Sequence, residues 1–394
     1  MNKLSSVPAP ASKTGGNKIR FDRNEIAGAF GDMGTDVPLL IGMTLAAGLD
    51  GTSVLVMFGV MQILTGLVYR MPMPVQPLKA MAAIVIAKQA SAATLYGAGL
   101  AIGFIMMLLA LSGLLDWLAR VVPKCVVRGI QLGLGLQLAS VALGKYIQAD
   151  GIFGYSLAAG AFIITVLLLG NRRFPAALPV VFLGLAFAVT FNSNGSFVQS
   201  LGFHLPVMHV PQPADILTGF LVLALPQIPL SLGNSVLATR QLTEDLFPER
   251  ILTIRKIGLT YALMNLINPW FGGVPTCHGS GGMAGHFAFG GRTGGSVIIY
   301  GLLFLGFGLF FGGGFNHIAK TFPLPVLGVI LLFEALALIW QIRDTAFSRT
   351  DFPIAVLVGL LSVGLPYGYV VGLVVGTVLS YLGGSTRLIN SNAA

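Results

Sequence analysis

Charge is scarce in this chain, and that scarcity excludes a soluble globular protein. Only 9% of its 394 residues are charged, against about 25% in soluble domains. Cysteine is nearly absent as well. Cys125 and Cys277 both fall inside apolar runs, so no disulfide framework is expected. The first 25 residues are rich in Ser, Ala, Pro and Lys and lack an apolar core, which excludes a secretory signal and reads as a basic cytosolic tail over 1–25. After the last apolar run only a short polar end follows, so no C-terminal soluble domain is expected. No nucleophile–base cluster is visible, which argues against an enzyme.

What the chain does have is apolar surface and glycine. Hydrophobic residues make up 55%, glycine contributes 52 residues, and mean hydropathy is +0.84. Glycine at that level suits close helix–helix approach in lipid. The net charge of +9 does not indicate nucleic acid. The basic residues sit in short loops between apolar runs, where the positive-inside bias places them.

A membrane helix needs about 20 apolar residues. Apolar runs between turn signals predict an all-α polytopic membrane protein of about fourteen segments. The first seven lie near 26–49, 52–70, 75–91, 93–118, 124–145, 152–170 and 175–192; the second seven near 214–238, 252–269, 275–290, 294–315, 322–341, 352–366 and 368–383. With the N-terminus in the cytosol, alternation puts 18 of the 23 Lys and Arg inside and three outside, Lys88, Lys145 and Lys320. That split predicts a multi-pass protein of the cell membrane with both termini cytoplasmic. Equivalent features recur about 200 residues apart: Val122-Pro123 and Phe322-Pro323 each open a segment. Seven is odd, so a second copy of 26–192 at 214–383 must be inserted upside down, as in the inverted repeats of secondary transporters.

Two segments are broken at nearly the same offset. Pro74-Val75-Gln76-Pro77-Leu78-Lys79 opens the third, and Gly272-Gly273-Val274-Pro275-Thr276-Cys277-His278-Gly279-Ser280-Gly281-Gly282 opens the tenth. The pattern predicts short extended pieces at Val75-Gln76 and Val274-Pro275. Helices are then expected from near Pro77, a proline tolerated at a first helical position, and from Cys277 to Ser280, with Thr276 as N-cap. Facing helix starts supply unpaired N–H groups and about half a positive charge each, the makings of an anion site. Lys79 adds a full charge; the competing reading is that it snorkels or pairs with an aspartate. His278 is either a hydrogen-bond donor to a ligand or a structural histidine. Cys277-His278 is poor metal-ligand geometry with no supporting cluster, so no metal is expected. Asp32 and Asp36, at i and i+4, either pair with Lys79 or take up a proton. Gln227, Ser231, Asn234 and Ser235 share one face of segment eight at helical spacing, as ligand-binding or interhelical groups. Glu334 is an isolated acid without an evident partner and a coupling candidate. Gly290-Gly291-Arg292-Thr293-Gly294 lacks the strand–turn–helix context of a nucleotide loop and reads as a tight turn; no cofactor is expected.

The two broken motifs, with Gly31-Asp32-Met33-Gly34-Thr35, Val127-Arg128-Gly129-Ile130-Gln131-Leu132-Gly133 and Phe289-Gly290-Gly291-Arg292-Thr293-Gly294, resemble the molybdate-transporter branch of the sulfate permease (SulP) superfamily. The resemblance implies a seven-plus-seven inverted repeat, in which a core domain (segments 1–4 and 8–11) moves against a gate domain (5–7 and 12–14). It implies substrate between segments three and ten, at Gln76, Pro77, Leu78, Lys79, Thr276, Cys277, His278, Gly279 and Ser280, with Gln227, Ser231 and Asn234 from segment eight. It also implies molybdate or sulfate as the transported anion, protons as the coupling ion, a homodimer, and absence of the C-terminal STAS domain. Ser280 and Met283 stand where the family often has Ala and Leu. The alternative on the same fold is a nucleobase or organic-anion symporter, which usually places an acid at the substrate in segments eight and ten; here segment eight has Gln227 and Asn234, and segment ten has no carboxylate.

Overall fold

The computed structural model describes residues 18–168, 177–191 and 202–391. Most of the predicted tail, with Lys3 and Lys13, and the loop containing Arg172 and Arg173 lie outside the described residues. The first half runs α1 (Arg23–Gly28), α2 (Met33–Ala47), α3 (Gly51–Tyr69), β1 (Val75–Pro77), α4 (Lys79–Lys88), α5 (Ala92–Ser112), α6 (Leu114–Val121), α7 (Lys124–Val141), α8 (Gly151–Leu167) and α9 (Ala177–Phe191). The second runs α10 (Pro213–Leu246), α11 (Ile254–Ile267), β2 (Thr276–His278), α12 (Ser280–Ala288), α13 (Gly295–Thr321), α14 (Leu324–Trp340), α15 (Asp351–Gly364) and α16 (Gly368–Ser391).

Six helices are long and apolar enough to cross a bilayer, and several shorter apolar helices accompany them. The protein is therefore a mostly helical, multi-pass membrane protein. It is not purely α: β1 and β2 form a two-stranded antiparallel ladder with Gln76 opposite Cys277. Segment one is also interrupted, as α1 and α2 are separated by residues 29–32. α10 is one element of 34 residues that contains two π-helical stretches, Phe220–Ala224 and Ser231–Leu237.

Small residues bring the main helices together. α3 lies along α13 and α5 along α11. A Cβ on Gly59 would stand 2.6 Å from the Gly301 carbonyl oxygen, and a Cβ on Gly301 equally close to that of Gly59, so these two backbones meet where only glycine fits. Lipid gives apolar helices no hydrophobic reason to associate, and such close contact supplies it through dispersion. The 290–294 turn is held from afar. Glu25 is fully buried; its Oε1 accepts from the Arg292 and Thr293 N–H groups (3.0 and 2.9 Å) and its Oε2 from Ser296 N–H (2.9 Å). The donors at the start of α13 are thus spent on the protein's own carboxylate.

The broken segments depart from expectation in one respect. The first helix begins later than predicted, at Lys79, because Pro77 belongs to the strand; the second begins at Ser280, the far end of its predicted range. Unpaired backbone is untenable at membrane depth, and pairing β1 with β2 removes much of the problem. Side-chain amides satisfy the outer edges. Gln62 of α3 donates to Val75 O (2.7 Å) and accepts from Val75 N–H (2.9 Å). Asn265 of α11 does the same for Thr276, at 2.6 and 2.9 Å. Thr276 is accordingly a clamped strand residue and not a helix N-cap.

Candidate functional site

Where β1 and β2 hand over to α4 and α12, a cavity of about 210 Å³ opens. It is lined by Gln76, Lys79, Gln227, Leu230, Asn234, Ser235, Cys277, Gly279, Ser280, Gly281 and Gln341. The cavity is smaller than the roughly 300–1,000 Å³ typical of pockets for drug-sized ligands, and suits a small ion with a few waters.

The strands decide which motif residues reach it. Alternation along β2 turns Cys277 toward the cavity and Thr276 and His278 away. The His278 ring is buried; its Nε2 lies 2.7 Å from Thr260 Oγ1 and 3.5 Å from the Tyr69 hydroxyl, and Tyr69 packs edge-on against it. Along β1, Gln76 faces in. Its Nε2 donates to both carboxylate oxygens of Asp32 at 2.7 Å. A Cβ on Gly279 would overlap the Gln76 amide oxygen, and one on Gly282 would overlap Asp32, so two glycines of the second motif make room for the first. Pro77 and Leu78 are buried and contribute backbone: Pro77 pairs with Thr276, and Leu78 N–H donates to Pro275 O at 3.1 Å.

The two helix starts are not alike. At α4, Gln227 Oε1 accepts from the Ala80 and Met81 N–H groups at 2.9 and 3.2 Å. Gln227 is oriented by its own Nε2, which donates to Ser231 Oγ (3.0 Å), and Ser231 meets the Tyr261 hydroxyl at 2.8 Å. Ser231 therefore stands behind the cavity wall. At α12 the N-cap residue is Gly279, which has no side chain to cap with, and among the described residues no side chain bonds to the first N–H groups. Met283 N–H, which reaches Gly279 O at 3.0 Å, begins the helical bonding, and a Cβ on Gly281 would meet open space. Gly279, Ser280 and Gly281, at the start of α12, line the cavity.

Charge at the site comes from Lys79, whose Nζ lies 3.9 Å from Glu334 Oε2 of α14. Glu334, without a visible partner in the sequence, has one here. Neither aspartate takes Lys79 as its hydrogen-bond partner: Asp32 holds Gln76, and the buried Asp36 accepts from the Tyr300 hydroxyl at 3.1 Å. Leu230 and Gln341 line the cavity without having been singled out, though Leu230 is three residues after Gln227 and Gln341 seven after Glu334, both same-face spacings. Just beyond Gln341, Asp344 bridges Arg128 (2.5 Å) and Lys124 (3.2 Å).

Comparison with known proteins adds to this geometry. A family model described as "Molybdate transporter of MFS superfamily" matches residues 24–138 and 219–338, more than half of the chain. Molybdate transporter 1 of Arabidopsis thaliana is 35% identical, with 90% of this chain and 87% of that protein covered. Molybdate transporter 2 of the same plant is 34% identical over 84% of this chain and 81% of its own. The transmembrane domain of the cyanobacterial bicarbonate transporter BicA has the same fold, with TM-score 0.67 at 19% identity over 91% of this chain and 98% of that one.

Proposed function

The chain belongs to the molybdate transporter family, and from that premise we propose that it moves molybdate across the membrane as a secondary active transporter. Transport of an anion is the coarser statement, and both relatives and fold support it. The finer reading rests on one observation. The start of α12 and the ammonium of Lys79 meet at a cavity sized for a small ion and otherwise lined by neutral amides, hydroxyls, a thiol and Leu230. A tetrahedral dianion finds there a helix N-terminus, one full charge and several donors. Sulfate and tungstate have the same charge and shape and are proposed as further substrates.

The Lys79–Glu334 pair supplies a coupling mechanism. It spans the proposed core and gate domains, as α4 belongs to segment three and α14 to segment twelve of a seven-plus-seven inverted repeat. Glu334 occupies the place of a counterion at 3.9 Å. An arriving dianion competes with it, and protonation of Glu334 removes the competitor, so anion and proton move together. Asp32, Asp36 and Cys277 are the other titratable groups that act on Lys79; the two aspartates are engaged by Gln76 and Tyr300 and serve as secondary candidates. Alternating access would carry the anion as the two domains rock, with both termini cytosolic and a homodimer as the assembly.

The test is binding to purified protein of molybdate, tungstate and sulfate, with uracil as control. Saturable oxyanion binding that uracil does not displace supports the reading. Uracil binding without oxyanion binding overturns it in favour of a nucleobase symporter.

A further inference from the structure

We infer a second anion site, for a phosphate group, at the junction of α3 and α11. A cavity of about 760 Å³ lies there, lined by Tyr69, Arg70, Glu249, Arg250, Ile251 and Lys256 among others. Three cationic side chains face one acid. Among the described residues, Arg70 and Lys256 make no ion pair within 4.0 Å, so their charge is available to a ligand.

Arg70 ends α3 in the left-handed region, φ 52°. Lys256, in the first turn of α11, lies over the Tyr69 ring at 4.8 Å and points its ammonium to Val68 O at 3.4 Å. Arginine and lysine together on one concave wall favour phosphate, which accepts bidentate and point-charge contacts alike.

The rim favours a phosphate carried by a lipid. Leu67 and Val68 are each 49% exposed and Ile251 95%. They continue the outward apolar faces of α3 and α11, where Leu64 and Leu263 are also exposed. Cations at a membrane interface beside apolar surface attract acidic headgroups. Occupancy has a route to the transport site, because Tyr69 also hydrogen-bonds Thr260 (2.6 Å), which contacts His278 of β2. His278, turned away from the transport cavity, thereby links β2 to the phosphate site.

The experiment compares the wild type with Arg70→Gln/Lys256→Gln in nanodiscs of phosphatidylcholine alone or with phosphatidylglycerol, reading the unfolding midpoint. Phosphatidylglycerol is expected to raise the wild-type midpoint by a few degrees and to leave the variant unmoved, with both alike in pure phosphatidylcholine. Arg70→Gln alone, with a partial loss of the shift, serves if the double variant does not survive purification. Equal shifts in wild type and variant, or none in either, overturn the site. Inorganic phosphate added to phosphatidylcholine discs separates the sources: protection of the wild type equal to that from phosphatidylglycerol retains the anion site and overturns the lipid as its ligand.

Discussion

The two broken segments share a geometry and divide the labour. β1–α4 and β2–α12 each present a three-residue strand, an amide clamp from the preceding helix and a helix start at the same cavity. Yet α4 has its donors closed by Gln227 and carries Lys79, whereas α12 is open and carries glycine. The two segments thus make the proposed site asymmetric: one carries the charge, the other the open helix start. An ammonium and an open helix start on the same element would crowd one side of an anion; on opposite elements they would hold it between two parts of the fold.

The largest expected effect removes the charge. Lys79→Met should lower molybdate uptake in proteoliposomes at least about a hundredfold, within the ~4 kcal/mol that a unit charge exerts at about 4 Å and an effective dielectric near 20. The Lys79→Met/Glu334→Gln double variant, which leaves no unpaired acid, should fold and remain inactive. Uptake near the wild-type rate in either would remove Lys79 from the site.

Next comes the competitor. Glu334→Gln should flatten the pH profile of uptake and tighten molybdate binding at neutral pH by about tenfold, roughly 1.4 kcal/mol. Asp36→Asn should keep the profile, since that carboxylate is held by Tyr300. The opposite pattern would assign coupling to Asp36.

The cap and the open start can then be exchanged. Gln227→Leu uncaps α4 and should destabilise the protein by about 1–2 kcal/mol, seen as a lower unfolding midpoint. An unchanged midpoint would mean that Gln227 is not the cap. Gly281→Ala projects a methyl into open space. It should leave the midpoint alone and weaken oxyanion binding by several fold. Ser280→Ala should be smallest, below about threefold, because α12 keeps its backbone donors; a larger loss would make the hydroxyl a principal ligand.

Much of this was legible in the chain. Pro74, Pro77, Pro275 and the glycines around them marked both breaks, and Lys79 was a costly charge in an apolar run. Partners were less so. Lys79 and Glu334 are far apart in sequence, as are Gln227 and the α4 start it caps, 147 residues away. The strand ladder lengthened the expected extended pieces and moved the first helix start from Pro77 to Lys79, because pairing across the two breaks satisfies backbone that neither break satisfies alone. Segment eight read as one polar face; with a π-helical stretch from Ser231 to Leu237, Asn234 and Ser235 line the cavity while Ser231 lies behind it, supporting Gln227.

Local chemistry, written in the order of residues, set where helices stop, which sign of charge is carried inward, and that the chain lives in lipid. These follow from proline lacking an N–H, from lysine's charge and from apolar length, and need no knowledge of neighbours. Folding settled which groups remain available. Whether a helix start binds a ligand or a glutamine, and whether a lysine meets an anion or a glutamate, depends on what a distant segment brings within hydrogen-bond reach, and short-range forces act only on groups already in contact.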